Sequence, residues 1–141
     1  MKKIITALLP AYIAIFFIIP LFSFKELKNP ATSLPRWEKL GERRVNFLVD
    51  RDEIQVGVFD GFFDALRIKV KTGSINMHRM IVHFQNGQTT EIELRNNFRA
   101  GSESRVIDLP GNNRIISKVV FWYDTRGFAR SKAVVELWGR H

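Results

Sequence analysis

With 141 residues, 45% of them hydrophobic, the chain has room for one domain and a short extra, and enough apolar material for a packed core. The formal charge is +8, but Lys2, Lys3, Lys25, Lys28 and Glu26 precede residue 34, which leaves 18 cations against 13 anions after it. That bias suits anionic partners and falls well short of a nucleic-acid-binding arm. The absence of cysteine excludes disulfides, a lipid-modified cysteine and a Cys-based metal site.

Met1-Lys2-Lys3 is a positive head, and residues 4–22 carry no charge and are apolar apart from Thr6 and Tyr12. This is the pattern of an export signal. At ~1.5 Å per residue such a helix nearly crosses a ~30 Å hydrocarbon core, so residues 1–23 read either as a cleaved signal or as a retained anchor. Pro10 would kink a spanning helix, and Leu21-Phe22-Ser23 only approximates a small-residue cleavage site. The expected destination is the periplasm or the cell exterior, with membrane attachment through residues 4–22 if they stay. Pro30 and Pro35, with Asn29, Thr32 and Ser33 between them or close by, make residues 24–35 a linker to a domain spanning 36–141.

From Trp37 onward no window has clean helical periodicity, and turn signals recur every eight to twelve residues, the spacing of a sandwich or barrel. A first strand is expected over residues 44–49, followed by a polar turn at Asp50-Arg51-Asp52. Ile54, Val56 and Val58 then alternate with Glu53, Gln55 and Gly57 as in a half-buried strand. After Asp60-Gly61, Leu66, Ile68 and Val70 alternate with Arg67, Lys69 and Lys71, a solvated cationic stripe. A short strand around Ile75 and Met77 comes next. Residues 80–84 and 89–94 flank Asn86-Gly87, the signal of a type I′ hairpin. Residues 96–104 read as a polar loop. Residues 106–109 and 115–123, joined by Pro110-Gly111-Asn112-Asn113, read as a strand pair, the second strand apolar on both parities and hence central. Residues 132–138 close the chain. The expected fold is all-β: one antiparallel, jelly-roll-like β-sandwich of about eight or nine strands behind an N-terminal hydrophobic helix.

Chemistry is sparse. His78 and His83 are five apart, and no His/Glu spacing for zinc is present. No Gly-x-Ser-x-Gly occurs, so a small hydrolase would need residues assembled only by the fold. The carboxylates at residues 50–53, 60 and 64 read as turn residues rather than a calcium site. Trp37, Trp122 and Trp138 read as core aromatics. Arginines are the suggestive set, because a planar guanidinium grips carboxylate or phosphate in bidentate fashion. If residues 106–109 and 115–123 are hairpin partners, Arg105 and Arg114 lie at opposite ends. The candidate ligand site is then Arg99, Arg114, Arg126 and Arg130 with the ring of Phe128. No catalytic residue, metal or cofactor is expected.

Trp37-x-x-Leu40-Gly41, Asp50-Arg51-Asp52-x-Ile54, Asn86-Gly87, Ser104-Arg105-x-Ile107-Asp108-Leu109-x-Gly111-x-x-Arg114-x-Ile116 and a closing strand ending in Gly139 together resemble a family of small exported bacterial β-sandwich domains of unknown function. The resemblance spans residues 37–139 and implies a fold but no activity. The last two strands are also similar in style to discoidin-like jelly rolls, which bind glycans or lipid headgroups. The expected function is a non-enzymatic binding module of the cell envelope for an anionic or glycan ligand. The alternative is an assembly partner of another envelope protein, using a sheet face or an edge strand.

Overall fold

The period-2 runs of the sequence become antiparallel strands whose apolar faces meet. A computed structural model describes residues 34–45, 51–124 and 132–141, all within the unit Ser33–His141. The expected N-terminal hydrophobic helix lies outside the described residues. Eight strands are present among them: β1 (Trp37–Arg44), β2 (Arg51–Gln55), β3 (Ala65–Val70), β4 (Ile75–Phe84), β5 (Thr89–Phe98), β6 (Ile107–Asp108), β7 (Ile116–Asp124) and β8 (Val134–Arg140). They form two four-stranded antiparallel sheets, in the orders β1-β8-β3-β6 and β2-β7-β4-β5, which makes a β-sandwich. Among the described residues no helix is long and apolar enough to cross a membrane.

The core lies between the sheets. Leu66, Ile68 and Val70 from β3 and Val135 and Leu137 from β8 face Met77, Met80, Val82, Val119, Phe121 and Tyr123 from the other sheet, all essentially inaccessible to water. One end of the sandwich, called the upper end here, carries Leu34–Arg36, the turn of residues 57–64, the β4–β5 turn and residues 110–115. Its level is set by Arg140 lying opposite both Trp37 and Ala65, and by Phe84 lying opposite Ile116. At the lower end Ile75 pairs with Phe98, Asn76 with Asp124 and Arg44 with Val134.

Several expectations change for physical reasons. Trp37–Arg44 is a strand although its sequence is mostly polar, because β1 is an edge strand whose outer face carries charge; the register shift between Lys39 and Gly41 also breaks its alternation. Residues 75–77 and 80–84 belong to one strand, β4. A register shift between Met77 and Arg79 spaces the inward residues Met77 and Met80 by three instead of two and interrupts the pattern. On the partner strand the same irregularity holds Arg95 at φ 39°, and beyond it β5 continues to Phe98, a core residue and not a loop residue. The Asn86-Gly87 hairpin is not type I′. Only Gly87 has positive φ (86°), its N–H donates to the Phe84 carbonyl, and the Phe84 N–H donates to the Gln88 carbonyl, giving a three-residue loop.

Pro110-Gly111-Asn112-Asn113 does not close a hairpin. It carries the chain from one sheet to the other, since β6 pairs with β3 while β7 lies between β2 and β4. β7 is thus internal, as its composition suggests, with Val120 buried on the outer face as well. None of the three tryptophans is a core residue. Each lies partly exposed on an outer sheet face beneath cations: Trp37 under Arg67 at 4.5 Å, Trp122 under Arg79 at 4.4 Å and Trp138 under Lys69 at 4.3 Å. The aromatic core is built from Phe63, Phe84, Phe98, Phe121 and Tyr123 instead.

Phe63 is the upper plug of that core and is fully buried. Its ring lies against the backbone of Gly139, where an added Cβ would come within 2.5 Å of Phe63 Cδ1 and 3.0 Å of Leu40 Cδ1. Gly139→Ala is therefore expected to destabilise the domain by about 1–3 kcal/mol, the usual cost of overpacking. Urea unfolding checks this, and Phe63→Leu in the same chain should recover part of the loss.

Candidate functional site

The upper end brings three loops together through backbone hydrogen bonds. Phe63 and Arg114 exchange a pair, Phe63 N–H to the Arg114 carbonyl (3.0 Å) and Arg114 N–H to the Phe63 carbonyl (2.7 Å). Gln85 N–H donates to the Ile115 carbonyl at 3.0 Å, and Leu109 N–H to the Asp64 carbonyl at 2.8 Å. Between these loops Gly111, Asn112 and Asn113 follow one another in the left-handed region, at φ 87°, 46° and 47°. Glycine and asparagine are the residues that adopt it at least cost. A Cβ on Gly111 would stand 3.3 Å from Arg114 Nη1, so glycine also leaves room for the arginine to fold back over its own turn.

The Arg114 guanidinium is held on several sides. Nη1 donates to the Pro110 carbonyl at 2.9 Å, and Nη2 donates to Gln88 Oε1 at 2.7 Å and, at 3.5 Å, to Asn86 Oδ1. Its Cζ stands 3.8 Å from the centroid of the buried Phe84 ring. Every one of these partners is neutral, and among the described residues no carboxylate offsets the charge. A depression of about 330 Å³ opens beside it, lined by Phe62, Phe84, Gln85, Asn86, Asn113, Arg114 and Ile115. A guanidinium fixed in advance, with its Nε–H and a second Nη1–H without a partner among the described residues, flanked by amides and a half-exposed phenyl ring, can accept a carboxylate or a phosphate with little loss of side-chain freedom.

Of the residues expected to form the site, Arg114 is in this depression. Arg99 is not: it follows β5 at the lower end, where the Ser102 N–H and Oγ–H both donate to its carbonyl. The ten residues of β5 separate it from Gln88 by roughly 30 Å. Arg126, Phe128 and Arg130 lie outside the described residues, and the flanking Asp124 and Lys132 belong to the lower end. Phe62, Asn86 and Asn113 are the residues sequence reasoning did not connect with Arg114. The signal that could have found them is the crowding of turn residues at 86–87 and 111–113, which are brought together by an inter-sheet crossing that spacing alone does not reveal.

A second cleft, of about 500 Å³, lies on the outer face of the β1-β8-β3-β6 sheet between Lys69, Lys71, Ser102, Glu103, Glu136 and Trp138. It contains Lys69 and Lys71 of the cationic stripe, whose charge is offset in part by ion pairs. Arg67 pairs with Glu103 at 3.2 Å, and Lys71 and Lys39 both pair with Glu136 Oε1, at 2.8 and 3.0 Å. The Trp138 indole N–H donates to Glu136 Oε2 at 3.0 Å. Glu136 is 1% exposed although it points away from the core. Burial alone would raise its pKa; Lys71, Lys39 and the indole N–H outweigh burial and hold it at about 2.

Residues 12–139 match the family described as a domain of unknown function, DUF2541. Among curated proteins and among solved structures nothing matches the chain.

The depressed pKa of Glu136 has a definite pH consequence. A carboxyl whose folded pKa lies below its ordinary 4.5 stabilises the fold above that value, and the contribution disappears as pH falls toward 2. Unfolding free energy should therefore drop between pH 5 and pH 2 by an amount on the order of 3 kcal/mol from this group. Glu136→Gln should be less stable at neutral pH, with a flatter profile over the same interval in urea titrations.

Proposed function

The chain belongs to the DUF2541 family, a description that carries no activity, and we propose from its own geometry that it is an exported, non-enzymatic β-sandwich binding module of the bacterial cell envelope. It takes an anionic ligand, such as a glycan bearing a carboxylate or phosphate, in the depression between Phe62 and Arg114. The observation that carries this reading is the Arg114 guanidinium, oriented by three neutral acceptors and the Phe84 ring with its charge left uncompensated among the described residues. The amide side chain of Asn113 and the ring of Phe62 supply the hydrogen bonds and apolar contact that a sugar uses.

Other features agree. None of the residues lining the depression is a general base, since amides, phenyl rings and a guanidinium do not take up a proton near neutral pH. The strand order, 1-8-3-6 over 2-7-4-5, supports reading the sandwich as a jelly roll, a frame that presents its loops at its ends. Residues 1–23 support export.

Calorimetric titration of the full chain with inorganic phosphate, glucuronate and glucose tests the reading. Binding of the two anions with glucose inert is expected. Arg114→Gln should weaken anion binding by about 10- to 100-fold, the worth of charge-assisted hydrogen bonds, and Arg114→Lys by less. Anion binding that Arg114→Gln leaves unchanged, in a variant of wild-type thermal stability, overturns it.

A further inference from the structure

Four large hydrophobic residues stand exposed among those described, and all four belong to the upper end: Leu34 (87%), Val58 (46%), Phe59 (99%) and Phe62 (57%). Three of them sit on one short turn. That turn is built: Asp60 N–H donates to the Gly57 carbonyl at 3.0 Å, the Gly57 N–H donates to Asp60 Oδ2 at 2.6 Å, and Gly61 closes it at φ 90°. The Asp60 carboxylate is thus bent back onto backbone while the phenyl ring of Phe59 is left entirely in water. A soluble domain gains nothing from a rigid turn that holds a phenylalanine outward, so the exposure calls for an occupant.

We infer that the upper end docks on a phospholipid bilayer, with Phe59 and Phe62 entering the boundary between headgroups and acyl chains and Arg114 meeting a lipid phosphate. The inference rests on the Arg114 reading above and names its ligand class. Two observations select a bilayer over a protein. First, a guanidinium with no carboxylate partner among the described residues lines the same depression as Phe62 and is tied to the turn bearing Phe59 through the Phe63–Arg114 hydrogen-bond pair; apolar side chains beside a cation are the combination that suits a bilayer surface, rings among the acyl chains and cation at the phosphates. Second, the chain comes into the domain at the same end, where the His141 N–H bonds the Arg36 carbonyl at 3.0 Å. If residues 4–22 stay in a membrane, the chain that leads from them joins the domain at the end that bears Phe59.

The chain contains no cysteine, so a single cysteine can carry an environment-sensitive fluorophore in the otherwise full chain. The label is placed at Phe59→Cys and, as a control at the lower end, at Arg99→Cys. Vesicles of phosphatidylcholine with and without phosphatidylglycerol provide the surface, and a spin-labelled lipid serves as quencher. The label at 59 should shift to the blue and be quenched on vesicles, the label at 99 should do neither, and Phe62→Ser should weaken quenching at 59 by about tenfold in lipid concentration. Arg114→Gln should reduce the response to phosphatidylglycerol. A label at 59 that stays in water on vesicle-bound chain overturns the docking. So does one that becomes shielded without lipid through self-association, which would mark a protein contact. Because anion titration reads Arg114 separately, inorganic phosphate binding with a water-exposed label at 59 sinks the bilayer alone, whereas loss of both sinks the site as well.

Discussion

The two hydrogen bonds exchanged by Phe63 and Arg114 hold the upper end of the sandwich in register. They join the turn that leaves β2 to the turn that feeds β7, and so span the two sheets above the core. Phe63 can serve as this clamp because its ring is seated on the bare backbone of Gly139. Arg114 is positioned by the same bonds, and its side chain reaches across to the β4–β5 turn at Gln88. With the Gln85–Ile115 bond, this backbone pairing holds the segments carrying Arg114, Phe62, Asn86 and Asn113 next to one another. Preorganisation of this kind reduces what a ligand must supply to order its site.

The two outer faces solve a different problem. Each has a tryptophan that would be costly to expose and cations that would repel, and each places one over the other. On the β8 side the arrangement closes around Glu136, a carboxylate shielded from water by its own counter-ions. Such a charge contributes net stability only while both lysines and the indole N–H stay in place, which ties the strand pairings of β1 and β3 with β8 to the protonation of one group.

How much of this could be read in advance follows from the range of the interactions. β3, β8 and the internal character of β7 were legible, because their side chains answer to the nearest core and alternate accordingly. β1 was not: it is an edge strand with few inward residues, and its outer face reads as a polar segment. The lower half of β5 was hidden by the irregularity at Arg95, which shifts the parity of everything after it. The crossing at residues 110–113 looked like a hairpin because turn chemistry reports a change of direction and not which sheet receives the chain. The partner of β6 is β3, some forty residues earlier, and no local signal names it. Arg114 was singled out from its chemistry, but its companions come from two other loops. Arg99, chosen on the same chemistry, stands at the far end, since residue type carries no information about level along a strand. The tryptophans show the same limit: size and hydrophobicity argue for the core, and only the fold shows that cations cover them where they are.

The distorted backbone of Arg95 has a consequence for assembly. β5 is the outermost strand of its sheet, ten residues long, and pairs on one side only with β4. A flat strand of that length would be a template for a further strand from another chain. Arg95 at φ 39° interrupts its hydrogen-bonding edge near the middle, and Glu91, Glu93 and Arg95 add charge along it. The longest open edge among the described strands is thus a poor place for another chain to extend the sheet.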